Sequence, residues 1–114
     1  MEKLDSMFEM QKALMLNYGY TGPVDIDTKE GQNKIREVMF FLTHELFEAS
    51  EWMKMKPWRQ TLVKTDIPAF MEEIADVMHF YLELCIYLGI DSHKLYEMYQ
   101  NKVFKNIKRI EDKY

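Results

Sequence analysis

The chain has 114 residues, which is the size of a single domain with a modest hydrophobic core, and we expect one domain over residues 1–114. Its formal net charge of −4 argues against nucleic acid or an anionic membrane surface as a partner. No apolar run approaches the roughly 20 residues of a membrane span. The single cysteine excludes an intrachain disulfide framework, and these features together predict a cytoplasmic protein.

Apolar residues recur at helical spacing in four segments, and the few Gly and Pro residues cluster between them. The first predicted helix covers residues 4–17. The second begins at Asp27, where Glu30 completes a pair resembling a capping box, and it ends at Pro57. Residues 57–66 then form a polar connection.

The third predicted helix begins near Asp66, has Pro68 in its first turn and stops at Gly89. The fourth begins at Asp91 or Ser92, either of which is a favourable N-cap. Short connections between consecutive helices favour antiparallel neighbours. The sequence therefore predicts an all-α protein with an antiparallel four-helix bundle.

The apolar content is high for so short a chain. Hydrophobic residues make up 47% of the sequence, and they include 16 aromatic residues and ten Met. The core of so short a chain needs fewer apolar residues than this, so part of the apolar surface is expected to face another subunit. We therefore expect a homodimer or a dimer of dimers.

Two acidic pairs are the strongest functional signal in the sequence. Glu45 and Glu48 lie one helical turn apart in the second helix, and Glu73 and Asp76 do so in the third. The 24 residues between the pairs allow one helix to end and the next to run back alongside it. Four carboxylates would then converge, and oxygen ligands of this kind favour Mg²⁺, with Mn²⁺ as the alternative ion.

A solvated helix face is the ordinary interpretation of one such pair. Here apolar residues flank Glu45, Glu48 and Glu73 along their helix stripes, and no lysine lies one turn away to compensate the charges. Two other metal sites fit poorly. A zinc protease needs H-E-x-x-H, and the fifth position is glutamate. A di-iron bundle needs two Glu-x-x-His motifs, and the chain offers only Asp76 with His79.

Lys102, Asn106 and Arg109 share one stripe of the fourth helix. A solvated basic face is one interpretation of this stripe. The other is phosphate binding, because an acidic metal site that handles phosphates needs cations on the opposite side of the phosphate chain. Arginine can hold phosphate oxygens with two hydrogen bonds, and lysine supplies a point charge.

Trp58 lies between two basic residues, Lys56 and Arg59, in the connection after the second helix. An aromatic side chain in a loop can stack on a nucleobase while a neighbouring lysine or arginine contacts phosphate. The alternative is that Trp58 covers the end of the bundle. His79 also has two interpretations, as a polar residue at the edge of the acidic site or as a hydrogen-bonded core histidine.

Taken together, these residues resemble the all-α nucleoside triphosphate pyrophosphohydrolases, the superfamily of MazG-like proteins and dimeric dUTPases. The two acidic pairs match the superfamily signature E-x-x-E followed by E-x-x-D. Further motifs resemble the dimeric dUTPases and their short phage and bacterial relatives, and they lie at Asp76–Phe80, Lys56–Arg59, Lys102–Arg109 and around Gln11. One departure is Met15, where relatives often carry Asn or Asp, which implies weaker recognition of uracil.

The resemblance implies a Mg²⁺-dependent hydrolase that converts a dNTP, with dUTP or dCTP expected first, to the monophosphate and pyrophosphate. It implies Glu45, Glu48, Glu73 and Asp76 as metal ligands, with Glu48 also orienting or deprotonating the attacking water. The alternative is a non-catalytic helical module that binds nucleotides or other proteins. The implied substrate-binding residues are Gln11, Lys56, Trp58, Arg59, His79, Phe80, Lys102, Asn106 and Arg109.

Overall fold

A computed structural model describes residues 2–113, so Met1 and Tyr114 at the two ends of the predicted domain lie outside the described residues. All regular secondary structure in this range is helical, which confirms the all-α class. None of the described helices combines the length and the apolar character needed to cross a membrane. The helices are α1 (Glu2–Leu16), α2 (Lys29–Ser50), α3 (Ile67–Tyr87) and α4 (Ser92–Glu111).

Local capping residues set most of the helix ends. The Asp66 side chain accepts a hydrogen bond from the backbone N–H of Ala69 at the start of α3, and Asp91 caps α4 in the same way. Gly19 follows α1 with a φ of +90°, and Gly89 follows α3 with a φ of +75°. Both values lie in the left-handed region that glycine adopts without steric cost, so these predicted boundaries are confirmed.

The predicted bounds of α2 were wrong at both ends. Thr28 is the N-cap, because its hydroxyl accepts from the backbone N–H of Gly31 at 3.0 Å, whereas Asp27 lies outside the helix. The helix ends at Ser50 and not at Pro57, which leaves residues 51–66 as the connection. A proline restricts the backbone of the residue before it and lacks an N–H of its own, so it does not determine where a helix ends several residues earlier.

α3 is the central helix. It packs against α2 on one side and α1 on another, and α1 also contacts α4. The main hydrophobic core forms between α1, α3 and the loop after α1, and burial there raises the pKa of the Cys85 thiol, in keeping with an inert core cysteine. The core side chains are Phe8, Met15, Tyr20, Leu82, Cys85 and Ile86.

α4 contributes little to this core. No residue of α4 is buried, and its large apolar side chains remain open, with Tyr99 exposed to 69% and Ile110 to 72%. α2 also exposes large apolar groups, among them Phe40 and Phe47. The described chain therefore leaves much of its apolar surface unpaired on α2 and α4.

Candidate functional site

The contact between α2 and α3 brings three predicted metal ligands together. One carboxylate oxygen each of Glu45, Glu73 and Asp76 lies within 4.8 Å of the other two. All three residues are half-buried. The helical turn between Glu73 and Asp76 points both carboxylates to the same side of α3, and the side-by-side packing of α2 adds Glu45.

The charges in this group are poorly compensated. Burial raises the pKa of Glu45 most, and the neighbouring carboxylates of Glu48, Glu73 and Asp76 raise it further. The Oε2 atom of Glu73 is fully buried and accepts no hydrogen bond from any described residue. A buried carboxylate oxygen without a donor is costly, and a bound cation removes that cost. The all-oxygen donor set fits Mg²⁺ or Mn²⁺.

Glu48, the fourth predicted ligand, lies at the rim of this group. Its Oε1 is 2.9 Å from the Nε2 atom of His44, one turn earlier on α2, and its side chain is 47% exposed. It remains close enough to Glu45 for its charge to raise the Glu45 pKa. His44 was not among the predicted site residues, although its i, i+4 spacing from Glu48 was a visible signal in the sequence.

A cavity of about 430 Å³ adjoins the acidic group. Asp76 belongs to that group and also lines the cavity. Gln11 from α1 is buried, and its Oε1 lies 2.7 Å from the Nδ1 atom of His79. The Phe80 ring stacks on that of Phe41 with centroids 5.8 Å apart. The structure thus brings three predicted substrate-binding residues, Gln11, His79 and Phe80, to one cavity beside the carboxylates. The cavity is lined by Gln11, Leu14, Met15, Tyr18, Asp76, His79, Phe80, Glu83 and Tyr87.

The residues of the connection lie near the same end of α2 but do not join this cavity. α2 ends two residues after Glu48, and the connection follows directly. Trp58 is 76% exposed, so it does not cover the end of the helices in the described chain. Lys56 is half-buried and its carbonyl accepts from the backbone N–H of Arg59 at 3.0 Å, which forms a turn around Trp58.

The basic stripe of α4 is not part of the acidic group within one chain. Lys102, Asn106 and Arg109 are exposed, and their helix packs against α1, whereas the carboxylates lie between α2 and α3. Spacing along α4 correctly placed the three residues on one stripe. Which helix that stripe would face depends on tertiary packing.

Comparison with known families gives one match. A family model described as dUTPase matches residues 3–95. The match includes α1 from its second residue, α2, α3 and all four predicted metal ligands, and it ends in the first turn of α4, before Lys102. No curated protein and no solved structure matches this chain.

Proposed function

This chain belongs to the dUTPase family, and from that premise we propose that it is a Mg²⁺-dependent pyrophosphohydrolase of deoxynucleoside triphosphates. Hydrolysis would yield the monophosphate and pyrophosphate, with dUTP and dCTP as the first substrates to examine. The observation that carries this proposal is the half-buried group of Glu45, Glu73 and Asp76 next to the cavity of Gln11 and His79. The arrangement offers a place for phosphates and a place for a base.

The acidic residues have two tasks in this proposal, namely to hold the cation and to activate the attacking water. Glu45, Glu73 and Asp76 would hold the cation, and Glu48 would complete the set from the rim. A bound Mg²⁺ would supply Lewis acidity toward the phosphate and lower the pKa of a nearby water. Glu48 is the residue that orients or deprotonates the attacking water, because its carboxylate is open to solvent while it lies beside the group. His44 holds that carboxylate in place.

The base would enter the cavity beside Asp76. The Phe80 ring gives an aromatic wall, and the Gln11 amide can read one base edge. Met15 is buried in the same cavity, where it offers no hydrogen bond. Since strong discrimination needs buried polar groups that the wrong base leaves unpaired, the cavity is expected to accept more than one dNTP. Trp58 does not join this cavity within one chain, so its predicted stacking on the base depends on the assembled protein.

In this proposal, phosphate charge is balanced by Lys56 and Arg59 of the connection and by Lys102 and Arg109 of α4, while Asn106 holds the sugar or a phosphate oxygen. The residues of the connection follow closely after Glu48. In one chain α4 packs on α1. The role of the α4 residues therefore depends on the position of α4 in the assembled protein.

A panel assay tests the proposed reaction. We expect the protein with Mg²⁺ to release pyrophosphate from dUTP or dCTP, with monophosphate as the second product. The preference between the best and the second dNTP is expected to stay below about a thousandfold, a gap of roughly 4 kcal/mol in transition-state binding. Absence of pyrophosphate release from every dNTP and NTP would favour the alternative of a non-catalytic nucleotide-binding module.

We expect Mg²⁺ to stabilise the folded protein. Without a cation, the carboxylates repel one another and Glu73 Oε2 lacks a donor, so an ion that binds only the folded state raises its stability. The melting temperature should rise as Mg²⁺ is added in the millimolar range, and the rise should shrink in Glu73→Gln. The exposed Glu72 gives a matched control in Glu72→Gln. A melting temperature indifferent to Mg²⁺ would contradict a metal site here.

We also propose that the protein is a homodimer or a dimer of dimers. The supporting observation is the apolar surface left open on α2 and α4, such as Phe47 at 66% and Ile110 at 72% exposure. Contact between helices of two subunits would cover it. Light scattering at micromolar concentration should give at least twice the 13.8 kDa chain mass. A monomer mass would refute the proposed assembly and would not contradict the proposed reaction.

A further inference from the structure

One carboxylate in the base cavity has no part in the proposed reaction. Glu83 lines the cavity together with Asp76 and His79, and the three positions follow one face of α3 at i, i+3 and i+7. The residue is half-buried. Its carboxylate accepts no hydrogen bond in the described part of the chain. It is thus an acceptor on the cavity wall, one turn beyond the histidine that contacts Gln11.

The surroundings of Glu83 are largely apolar on the cavity side, where the aromatic ring of Tyr87 and the side chain of Met15 also line the wall. Burial raises the pKa of Glu83. On α2, Lys34 lowers this pKa and Glu37 raises it again. Lys34 offsets the cost of burial only in part, since the pKa of Glu83 remains raised, and a partly desolvated carboxylate of this kind gains from a hydrogen-bond donor on a ligand.

Gln11 offers this cavity a hydrogen-bond donor. The Oε1 atom of Gln11 lies 2.7 Å from His79 Nδ1, and an amide oxygen can only accept, so the ring nitrogen donates. This bond leaves the Nε2 amino group of Gln11 free to donate to a ligand. The cavity therefore combines an amide donor at Gln11 with a carboxylate acceptor at Glu83.

We propose that Glu83 accepts a hydrogen bond from the exocyclic amino group of cytosine, while Gln11 donates to the carbonyl oxygen on the other side of the base. Cytosine carries an amino donor at C4 and a carbonyl acceptor at C2, which matches this pair of groups. Uracil carries a carbonyl oxygen at C4, whose lone pairs would face those of the carboxylate, so only its N3–H could still donate to Glu83. The inference rests on the proposed function, and it makes dCTP the preferred substrate of a chain in the dUTPase family.

Kinetics of Glu83→Gln test the assignment. The wild-type protein should show a kcat/KM for dCTP about tenfold or more above that for dUTP, within the range for one good base contact. An amide in place of the carboxylate can donate to O4 of uracil or accept from the cytosine amino group. The dCTP to dUTP ratio should therefore fall to about one in Glu83→Gln. Glu72→Gln, the same change at an exposed position of α3, should keep the wild-type ratio.

Binding of the product nucleotides separates this inference from the proposed reaction. Calorimetry with dCMP and dUMP needs no hydrolysis, and it should show tighter binding of dCMP to the wild-type protein and a lost difference in Glu83→Gln. If no dNTP is hydrolysed but this pattern holds, the reaction fails and the base assignment stands. Preference for dUTP, an unchanged ratio in folded Glu83→Gln, or no binding of either monophosphate overturns it. If the variant does not fold, the preference of the wild-type protein between the cytosine and uracil nucleotides still decides whether the assignment holds.

Discussion

Replacement of Glu48 by glutamine should lower the turnover number for dNTP hydrolysis by about a hundredfold or more, the usual scale for loss of a positioned acid–base group. Glu48 lies at the rim of the acidic group with one carboxylate oxygen on His44 and with access to solvent. Glutamine has nearly the same shape but cannot take a proton from water. The three inner carboxylates remain in the variant, so Mg²⁺ should still raise its melting temperature.

Glu72→Gln is the matched control for this experiment, because Glu72 is exposed on α3 and its change removes the same charge. Circular dichroism should show unchanged helix content in both variants. EDTA should abolish turnover in the wild-type protein. Full activity of Glu48→Gln at saturating Mg²⁺, or full wild-type activity in EDTA, would show that the proposed mechanism is wrong.

Gly31→Ala should destabilise the fold by about 1–3 kcal/mol, the range found when extra groups are forced into a packed site. A Cβ atom at this position would lie 1.9 Å from the backbone oxygen of Asp25 and 2.7 Å from its carbonyl carbon. Both atoms belong to the main chain of the loop, so the loop itself must shift. The Thr28 hydroxyl that caps α2, 2.9 Å from the same Cβ, would be displaced with it.

The sign of this effect makes the test decisive. Alanine is a better helix former than glycine by about 0.5–1 kcal/mol, so helix propensity alone predicts that Gly31→Ala stabilises the protein. Asn33→Ala on the exposed side of α2 gives a control for propensity without the close approach. Urea unfolding should show a lower free energy of unfolding for Gly31→Ala only. A stabilised Gly31→Ala variant would contradict the packing of the loop on α2.

The sequence was most informative where structure is determined by neighbouring residues. Asp66, Asp91, Gly19 and Gly89 marked helix ends correctly, because a cap bonds within one turn and a left-handed φ is a property of one residue. The same local logic failed for α2, where a distant Pro57 was given the role of a helix end.

The acidic site was predictable in composition and only partly in geometry. Helical spacing places Glu73 beside Asp76 and Glu45 beside Glu48. It does not determine which carboxylates turn toward the neighbouring helix, and in the structure Glu48 instead contacts His44, while Gln11 of α1 reaches His79 of α3. The contact of Gln11 with His79 joins two helices, and the contact of Glu48 with His44 competes with a position of Glu48 inside the acidic group. Helix packing therefore decides which contacts form.

By itself the sequence determined the helical class, most of the helix ends and the residue types of the acidic group, because periodicity, capping and residue type act over one or two turns. The tertiary structure decided three further features. It joined Glu45 to the carboxylates of α3, it placed Glu83 in the cavity of Gln11 and His79, and it left α4 without a buried residue. The reason is physical: each depends on the relative positions of whole helices, which are set by the summed packing of many side chains and by no single motif.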